Sequence, residues 1–263
     1  MTETHSALDK AHAAMEAAPN DDGARLRYYQ ILADTELCLL LRAEAQGDKI
    51  EPESFDLGDM RVVLAFDSED RLAQFTGAPA PYAAISGRVL AGMLAGQGLG
   101  MGVNLEAPSA FLVPPDGVAW LVETLGHTPQ EAEARLQALH RPQGLPPVLL
   151  DALAQRLSGM AGLAQAAFLV GAEYYGGGRG HVLAILNAAP RAQAPLAKAM
   201  AEALTFSGIE AGALDVVFID DTHPFLPQFK AQGLALDIPA PPEPKVQLVT
   251  APGSDPDKPP ILR

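Results

Sequence analysis

The stretch over residues 82–125 constrains the fold more than any other, because it holds the longest uncharged run of the chain, residues 89–105. A helix that spans a membrane needs about 20 predominantly apolar residues. This run is rich in glycine and is interrupted by Gln97 and Asn104. We therefore interpret it as a helix followed by a strand inside a protein core, and we expect no catalytic residue in residues 82–125.

Composition indicates a globular chain and disfavours two classes of partner. The sequence has 263 residues, of which 48% are hydrophobic and 19% are charged, so it can form one large or two small domains with their own cores. Its formal net charge is -14. An acidic protein is repelled by phosphate backbones and by anionic lipid, so we expect no nucleic-acid partner and no membrane partner.

The single cysteine, Cys38, bears on the cellular compartment. One cysteine cannot form an internal disulfide or a zinc-binding pair, which favours a reducing environment. Cys38 lies in an apolar run, so we interpret it as a core residue and not as a nucleophile. The first 18 residues include three acidic ones and no apolar segment of the kind that a signal peptide has. We expect a cytoplasmic protein.

Apolar periodicity divides the first half of the chain into short elements. Helices are predicted over residues 4–18, 22–34, 69–75, 87–95 and 117–125. Strands are predicted over residues 36–42, 55–57, 60–66, 82–86, 99–105 and 111–113. Ser68 has a suitable N-cap side chain for the third helix. In the fourth helix we expect Val89, Leu90, Met93 and Leu94 to face inward.

The second half restarts after a segment rich in proline and glycine, residues 127–147, which we interpret as a linker with a short helix over residues 131–139. Helices are then predicted over residues 148–160, 190–207 and 224–232, and strands over residues 166–174, 181–187, 214–220 and 235–238. The first two of these strands are predicted to form a hairpin.

This order of elements predicts an α+β fold of two mixed α/β domains, each a mostly antiparallel sheet covered by helices. In the second domain we expect the helices on one face of the sheet. The predicted units are a helical extension over residues 1–21, a first domain over 22–126, the linker over 127–147, a second domain over 148–238, and a proline-rich tail over 239–263.

Two segments, residues 62–75 and 216–229, align without a gap. Each leads from a strand through an Asp-Ser or Asp-Thr pair into a helix that carries Gln-Phe. We expect Ser68 or Thr222 to cap the helix and the phenylalanine to pack back on the sheet. Either the two domains share half of a fold, or a common strand-cap-helix pattern has repeated by chance.

The loop over residues 176–181 is the most suggestive place for chemistry. It contains the candidate ligand-binding residues Gly176, Gly177, Gly178, Arg179 and His181. Backbone N–H groups of such a loop, together with an arginine, can form a nest for an anion. The alternative is an ordinary glycine-rich hairpin tip, which is common and requires no ligand.

Two other motifs have simpler interpretations. Glycines alternate over residues 96–102, but they leave a helix and enter a strand, the reverse of the order in a dinucleotide-binding loop, so we assign them to close backbone packing. Residues 220–223, Asp-Asp-Thr-His, offer possible metal ligands, but capping of the next helix accounts for Asp221 and Thr222. We predict no metal, no cofactor and no catalytic residue.

A family resemblance runs through these elements. The strand over 82–86, the Gly87 helix with its Arg-Val-Leu start, and the glycine-led strand that ends at Asn104 resemble the N-terminal domain of the SseB (enhanced serine sensitivity) family. The second half, with its Leu-Pro helix start and its Phe-Leu-Val hairpin strand, is similar to the C-terminal domain of that family. The family often has Asn-Pro where this chain has Asn104 and Leu105. The resemblance implies a two-domain fold over about residues 22–240 and no established reaction.

A chain rich in core residues and poor in convergent polar ones favours a non-enzymatic cytoplasmic binding or scaffold protein of the SseB-like family, with an unknown protein partner. This hypothesis predicts an exposed apolar patch at the domain junction or on the helices of residues 82–125. The alternative is a small-molecule sensor or enzyme that binds an amino acid or a phosphate at residues 176–181. It predicts a closed pocket into which Arg179 and His181 point.

Overall fold

The computed structural model describes residues 5–47, 49–129, 136–175, 177–208 and 214–240. Gly176, most of the helix predicted over residues 131–139 and most of the predicted tail lie outside these ranges. We refer to residues 5–129 as the first half and to residues 136–240 as the second half. Among the described residues, no helix combines the length and the hydropathy that a membrane crossing requires.

The first half has one mixed sheet. Its helices are α1 (Ala7–Ala17), α2 (Asp22–Asp34), α3 (Glu69–Thr76), α4 (Gly87–Leu94) and α5 (Pro115–Gly126). Its strands are β1 (Glu36–Leu40), β2 (Ser54–Leu57), β3 (Met60–Phe66), β4 (Tyr82–Ser86), β5 (Leu99–Val103) and β6 (Phe111–Val113). The six strands form one sheet in the order β4-β1-β3-β5-β6, with β2 also paired to β3. Only the β3–β5 pair of this sheet is parallel.

The second half has a sheet of its own. Its helices are α6 (Pro147–Ser158), α7 (Pro190–Phe206) and α8 (Leu226–Gln232). Its strands are β7 (Leu136–His140), β8 (Ala166–Tyr174), β9 (Arg179–Leu186), β10 (Leu214–Ile219) and β11 (Leu234–Leu236). The strand order is β10-β9-β8-β11, with β7 also paired to β8, and only β9–β10 is parallel. The prediction of two mostly antiparallel sheets in an α+β fold is confirmed.

Each sheet is covered on both faces, by a large core on one side and a smaller one on the other. In the first half, α1, α2, α4 and α5 cover one face and α3 covers the other. In the second half, α6 and α7 cover one face, while α8 buries Leu226 and Phe229 against the other. The prediction that the second sheet has helices on one face only is therefore wrong. The short helix α8 was predicted, but its apolar side chains pack on the face of the sheet opposite to α6 and α7.

The two halves share a topology. In each, a helix leads into two antiparallel strands, and a later helix leads into a strand parallel to the second of them: α2, β1, β3, α4 and β5 in the first half, and α6, β8, β9, α7 and β10 in the second. This correspondence pairs β3 with β9. The two aligned segments, residues 62–75 and 216–229, relate β3 and α3 to β10 and α8 instead, so their similarity reflects a local strand-to-helix pattern and not the shared topology.

Three local predictions fail for identifiable reasons. Val89 was expected to face inward but is 50% exposed, because Gly87, Leu90, Ala91 and Leu94 already fill the inner face of α4. This face is set by three- and four-residue spacing, and Val89 is off it.

Thr222 was expected to cap α8, but its N–H and its hydroxyl both donate to Asp220 Oδ1, at 2.8 and 2.6 Å. The chain therefore turns at Asp220, and α8 begins at Leu226 instead of Pro224. The cap of α3 is confirmed, since Ser68 Oγ accepts from the Arg71 N–H at 3.3 Å. In place of the end of the helix predicted over 131–139, the structure has strand β7 paired to β8.

Four charged side chains, one from each of four helices, form a closed ring at the junction of the two halves. Arg88 of α4 pairs with Asp34 of α2 and, at 3.2 Å through both nitrogens, with Glu202 of α7. Arg156 of α6 pairs with the same two carboxylates, at 2.8 Å to Asp34 and 3.3 Å to Glu202. The Glu202 side chain is only 6% exposed. We call these four residues the junction ring.

An aromatic contact accompanies the junction ring. Phe206, the last residue of α7, lies in the large core of the first half and is 1% exposed. Its ring meets Trp120 of α5 edge-on, with the centroids 6.3 Å apart. Trp120 in turn packs against Tyr29 of α2 at 5.2 Å. The second half thus contributes an apolar side chain to the core of the first.

Gly87 provides a test of the packing between α2 and α4. A Cβ atom at this position would lie 2.0 Å from the backbone oxygen of Leu32, so the helices must move apart to admit alanine. We expect Gly87→Ala to lower the free energy of unfolding by about 3 kcal/mol, measured by urea denaturation. The control is Gly92→Ala on the same helix, where a Cβ meets nothing within 4 Å. This control should stabilise the protein by up to about 1 kcal/mol, and equal effects of the two changes would contradict the packing.

The junction ring predicts a large effect for Glu202→Gln. The change leaves two partly buried arginines without their shared carboxylate, so we expect a loss of about 3 kcal/mol in the free energy of unfolding. Glu51→Gln is the matched control, because Glu51 pairs with Arg42 at 3.1 Å while both side chains are more than half exposed. The control should change stability by less than about 1 kcal/mol. A ring variant as mild as the control would show that the ring does not hold the halves together.

Candidate functional site

The predicted ligand loop is the tip of the β8–β9 hairpin and the start of β9. Gly177 has a φ of 91°, which favours glycine, and its N–H donates to the Tyr174 carbonyl at 3.0 Å. The Gly178 carbonyl accepts from the Tyr174 N–H at 2.9 Å. These two glycines therefore build the turn. Arg179 and His181 lie beyond it on β9, and Gly176 lies outside the described residues.

Arg179 and His181 both line an open groove of about 600 Å³ on the sheet. The strand register explains how it forms, because His140 of β7, Gly171 of β8 and His181 of β9 lie opposite one another in a row. Neighbouring strands are about 4.8 Å apart, so the two histidine backbones are about 10 Å apart. Gly171 between them has no side chain, and a Cβ there would lie 3.4 Å from the Arg141 carbonyl oxygen and 3.8 Å from the Cβ of His140.

A second row places Glu173 of β8 opposite Arg179 of β9. Arg179 Nη2 lies 2.6 Å from Glu173 Oε1, and His140 Nε2 lies 3.6 Å from the same oxygen. His181 Nε2 lies 3.0 Å from the carbonyl oxygen of Gln143 and donates to it, since a carbonyl only accepts. Its other ring nitrogen is therefore left for another partner.

The groove differs from the pocket that a small-molecule enzyme was expected to have. It is open to solvent, and the Arg179 side chain is 82% exposed. The structure brings Arg179 and His181 together and places Gly177 and Gly178 in the turn instead. It adds His140, Arg141, Gln143 and Glu173, which sequence reasoning missed.

The missed residues had one usable signal. Leu136, Gln137 and Ala138 alternate as in a strand with one buried face, but Leu139 breaks the alternation. The charged residues before it favoured the helix that we predicted. No local pattern indicated that β7 pairs with the far end of β8, since register across 30 or so residues depends on the rest of the sheet.

On the opposite face of the same hairpin, Tyr174 donates its hydroxyl hydrogen to Asp215 of β10. Burial and this hydrogen bond raise the pKa of Tyr174 well above its ordinary value. The phenol therefore stays protonated at neutral pH. It fixes the hairpin to β10 and has no role as a base.

A second polar cluster closes the carboxyl ends of the parallel strands β3 and β5. Arg71 of α3 bridges Asp9 of α1, at 2.7 Å, and Asp67, at 2.8 Å. Asn104, fully buried after β5, accepts from the Asp67 N–H at 3.0 Å and donates to Ser109 at 3.2 Å. The cluster satisfies its own hydrogen bonds, so we assign it to holding α1 on the sheet.

Burial alone would raise the pKa of Asp9, but hydrogen bonds from Arg71, Ser109 and the Ser6 N–H outweigh it and hold the pKa well below its ordinary value. Asp9 therefore remains ionised at any physiological pH. The ionised form accepts from three groups that belong to different elements, which makes it the centre of the cluster.

The remaining motifs have structural roles, in close backbone packing and in a turn. A Cβ on Gly100 would lie 2.6 Å from the Val113 carbonyl, and one on Gly102 would lie 2.8 Å from the Leu64 side chain. The alternating glycines thus admit close neighbours. Asp220 closes a turn through Thr222. Within the described ranges, no group of three or more His, Cys, Asp or Glu side chains is arranged to hold a metal ion.

Fold and site together define a class, an α+β protein of two sheet-based parts with related topology that meet at a helical junction. A comparison with protein-family models matches residues 8–120 to the SseB protein N-terminal domain. Residues 8–120 are therefore similar to the N-terminal domain of the SseB family, as the resemblance of the first half predicted. The match extends from α1 into α5. No curated protein and no solved structure matches the chain.

The lowered pKa of Asp9 predicts how the stability of the fold depends on pH. Because its folded pKa lies below the ordinary 3.8, its contribution is complete above that pH and is lost as pH falls toward the folded pKa. Between about pH 5 and about pH 2, we expect the wild type to lose about 2 kcal/mol more free energy of unfolding than Asp9→Asn does. Denaturation with urea at each pH measures the difference.

The control for this acid dependence is Asp56→Asn, because Asp56 is 81% exposed and pairs with Arg61 on the surface. Its pH dependence should follow that of the wild type. Parallel curves for Asp9→Asn and the wild type would contradict the assigned role of Asp9.

Proposed function

We propose that this protein is a non-enzymatic binding protein of the SseB family, which presents a rigid surface at the junction of its two halves to a protein partner. The observation that carries the proposal is the exposure of Val89 and Trp120, at 50% and 37%, on neighbouring helices of the SseB domain. Large apolar side chains exposed at a junction favour an interaction site.

The position of these side chains supports the proposal. Val89 follows Arg88 of the junction ring, and Trp120 packs on Phe206 of the other half. The ring and Phe206 fix α4, α5 and α7 relative to one another. A surface that is already rigid costs little conformational entropy when it binds.

The charge of the chain indicates the chemistry of the partner. A net charge of -14 attracts basic surfaces over long range and repels acidic ones. We therefore propose a protein partner that offers an apolar segment with basic flanks. The single buried cysteine is the ground for placing both proteins in the cytoplasm.

We further infer that residues 148–238 form a second SseB-like domain, with residues 22–126 as the body of the first. The support is the succession of helix, antiparallel pair, helix and parallel strand that the two halves have in common. The rival function, a sensor or enzyme at residues 176–181, has less support, since Arg179 is paired with Glu173 at the rim of an open groove.

Val89→Glu tests the proposed surface. A carboxylate in the apolar contact would be desolvated without a partner, so we expect binding of the natural partner to weaken at least about tenfold. Val148→Glu is the matched control, because Val148 is 52% exposed on α6. Wild type and both variants are used to capture proteins from native lysate at low and high salt, with quantification by mass spectrometry and thermal unfolding to verify the fold.

The expected result is a protein that the wild type and Val148→Glu retain, that Val89→Glu loses, and that elutes as salt rises. Capture that is equal for the two glutamate variants would contradict the junction surface as the binding site.

A further inference from the structure

We propose that residues 245–251 of this chain add a strand to the second sheet, antiparallel to β10 and along its outer edge. These residues lie beyond the described ranges, which end at residue 240. The added strand completes the second sheet at the place where β6 completes the first. The inference concerns an edge apart from the junction surface and goes beyond the proposed function, because neither depends on the other.

The outer edge of β10 is an apolar strand edge without a neighbour. Strand β10 corresponds to β5 of the first half, since each is the parallel strand of its sheet that follows a helix. Strand β5 has β6 on its other side, whereas among the described residues β10 pairs only with β9. Burial differs accordingly, because residues 100–103 of β5 are buried and residues 216–218 of β10 are only half-buried. Such an edge is a template for a further strand.

The pairing of β10 with β9 fixes which backbone groups point outward. The carbonyl oxygen of Ile219 accepts from the Asn187 N–H at 2.9 Å, so it points toward β9. Along a strand, the N–H and C=O groups of successive residues point to opposite sides. Those of Val217 therefore point toward β9 as well, while those of Val216 and Phe218 point outward. Each outward residue can exchange two hydrogen bonds with a residue of an antiparallel strand.

The sequence beyond residue 240 contains one segment that suits this edge. Residues 241–263 include seven prolines, and the longest stretch without one is residues 245–251, Lys-Val-Gln-Leu-Val-Thr-Ala. Proline lacks the N–H that a sheet requires, so the prolines on both sides limit a strand to this stretch. Its two valines and its threonine are β-branched, which favours an extended strand.

Side-chain alternation sets the register of the added strand. Val246 and Leu248 are two residues apart and therefore lie on one face of a strand. Val216 and Phe218 also share one face, where they pack against the large core of the second half. Pairing Val246 with Phe218 and Leu248 with Val216 brings these apolar side chains together. The same register matches the two residues of β10 whose backbone groups point outward.

The path of the chain permits this pairing. Strand β11 ends at Leu236, which lies opposite Ala167 in a row that continues through Ile185 to Phe218. The chain therefore leaves the sheet at the end where β10 also ends, so a strand that returns along β10 runs antiparallel to it. The added strand lies four strand spacings from β11, about 19 Å. The chain from Leu236 to Val246 reaches up to about 33 Å, which is enough.

The test is hydrogen exchange of backbone amides in the full chain, followed by ¹H–¹⁵N NMR. In the wild type we expect the outward amides of Val216 and Phe218 to exchange as slowly as that of Val217. Leu248→Pro removes the N–H that bonds to the Val216 carbonyl, so it should speed exchange of the outward amides at least about tenfold. The Val217 amide, bonded to β9, should stay protected, which verifies that β10 remains folded.

Ile261→Pro is the matched control, because it places a proline in the same tail but outside the proposed strand. It should leave all of these exchange rates unchanged. Fast exchange of the Val216 and Phe218 amides in the wild type would overturn the proposal, as would equal effects of the two proline variants. Protection that increases with protein concentration would also overturn it, because a second copy of the chain would then occupy the edge.

Discussion

The arrangement of the two halves depends on the burial of one carboxylate, that of Glu202. Taking a charge out of water costs several kcal/mol, and that cost is offset only if partners with good geometry surround it. Its partners are Arg88 from the first half and Arg156 from the second, and Asp34 completes the ring between them. Each half contributes one arginine and one carboxylate, and the docked arrangement gives each of these charges a second partner from the other half. The ring therefore favours the docked arrangement over other contacts between the same helices.

The two halves use one backbone device at the ends of their parallel strands. An asparagine with positive φ follows a strand of each pair, Asn104 at 49° and Asn187 at 52°. Each donates its backbone N–H to a carbonyl oxygen at the end of the neighbouring strand, that of Ala65 at 3.0 Å and that of Ile219 at 2.9 Å. Asparagine tolerates this conformation better than most residues. In the first half, α1 then covers the position and a buried cluster forms, whereas Asn187 stays exposed.

Local patterns predicted most elements of this fold because each element has a local cause. Strands β3, β4 and β8 were predicted with their observed limits, and Ser68 caps α3 as expected. The failures involve competition or distance. The N–H of Thr222 donates to Asp220, and Thr222 does not cap α8. Strand β7 obtains its register only from its pairing with β8. Only two of the groove residues were therefore accessible from sequence, since the others reach the site through strand pairing.

Trp120 gives the junction a property that the rest of the chain lacks. It is the only tryptophan in the sequence, and its indole packs on Phe206 from the other half while 37% of its surface stays exposed. Indole emission depends on how much water reaches the ring. Separation of α7 from α5 would expose the Trp120 ring to water even while both sheets remained folded. The tryptophan fluorescence of the native chain therefore reports on the contact between its two halves, and no label is required.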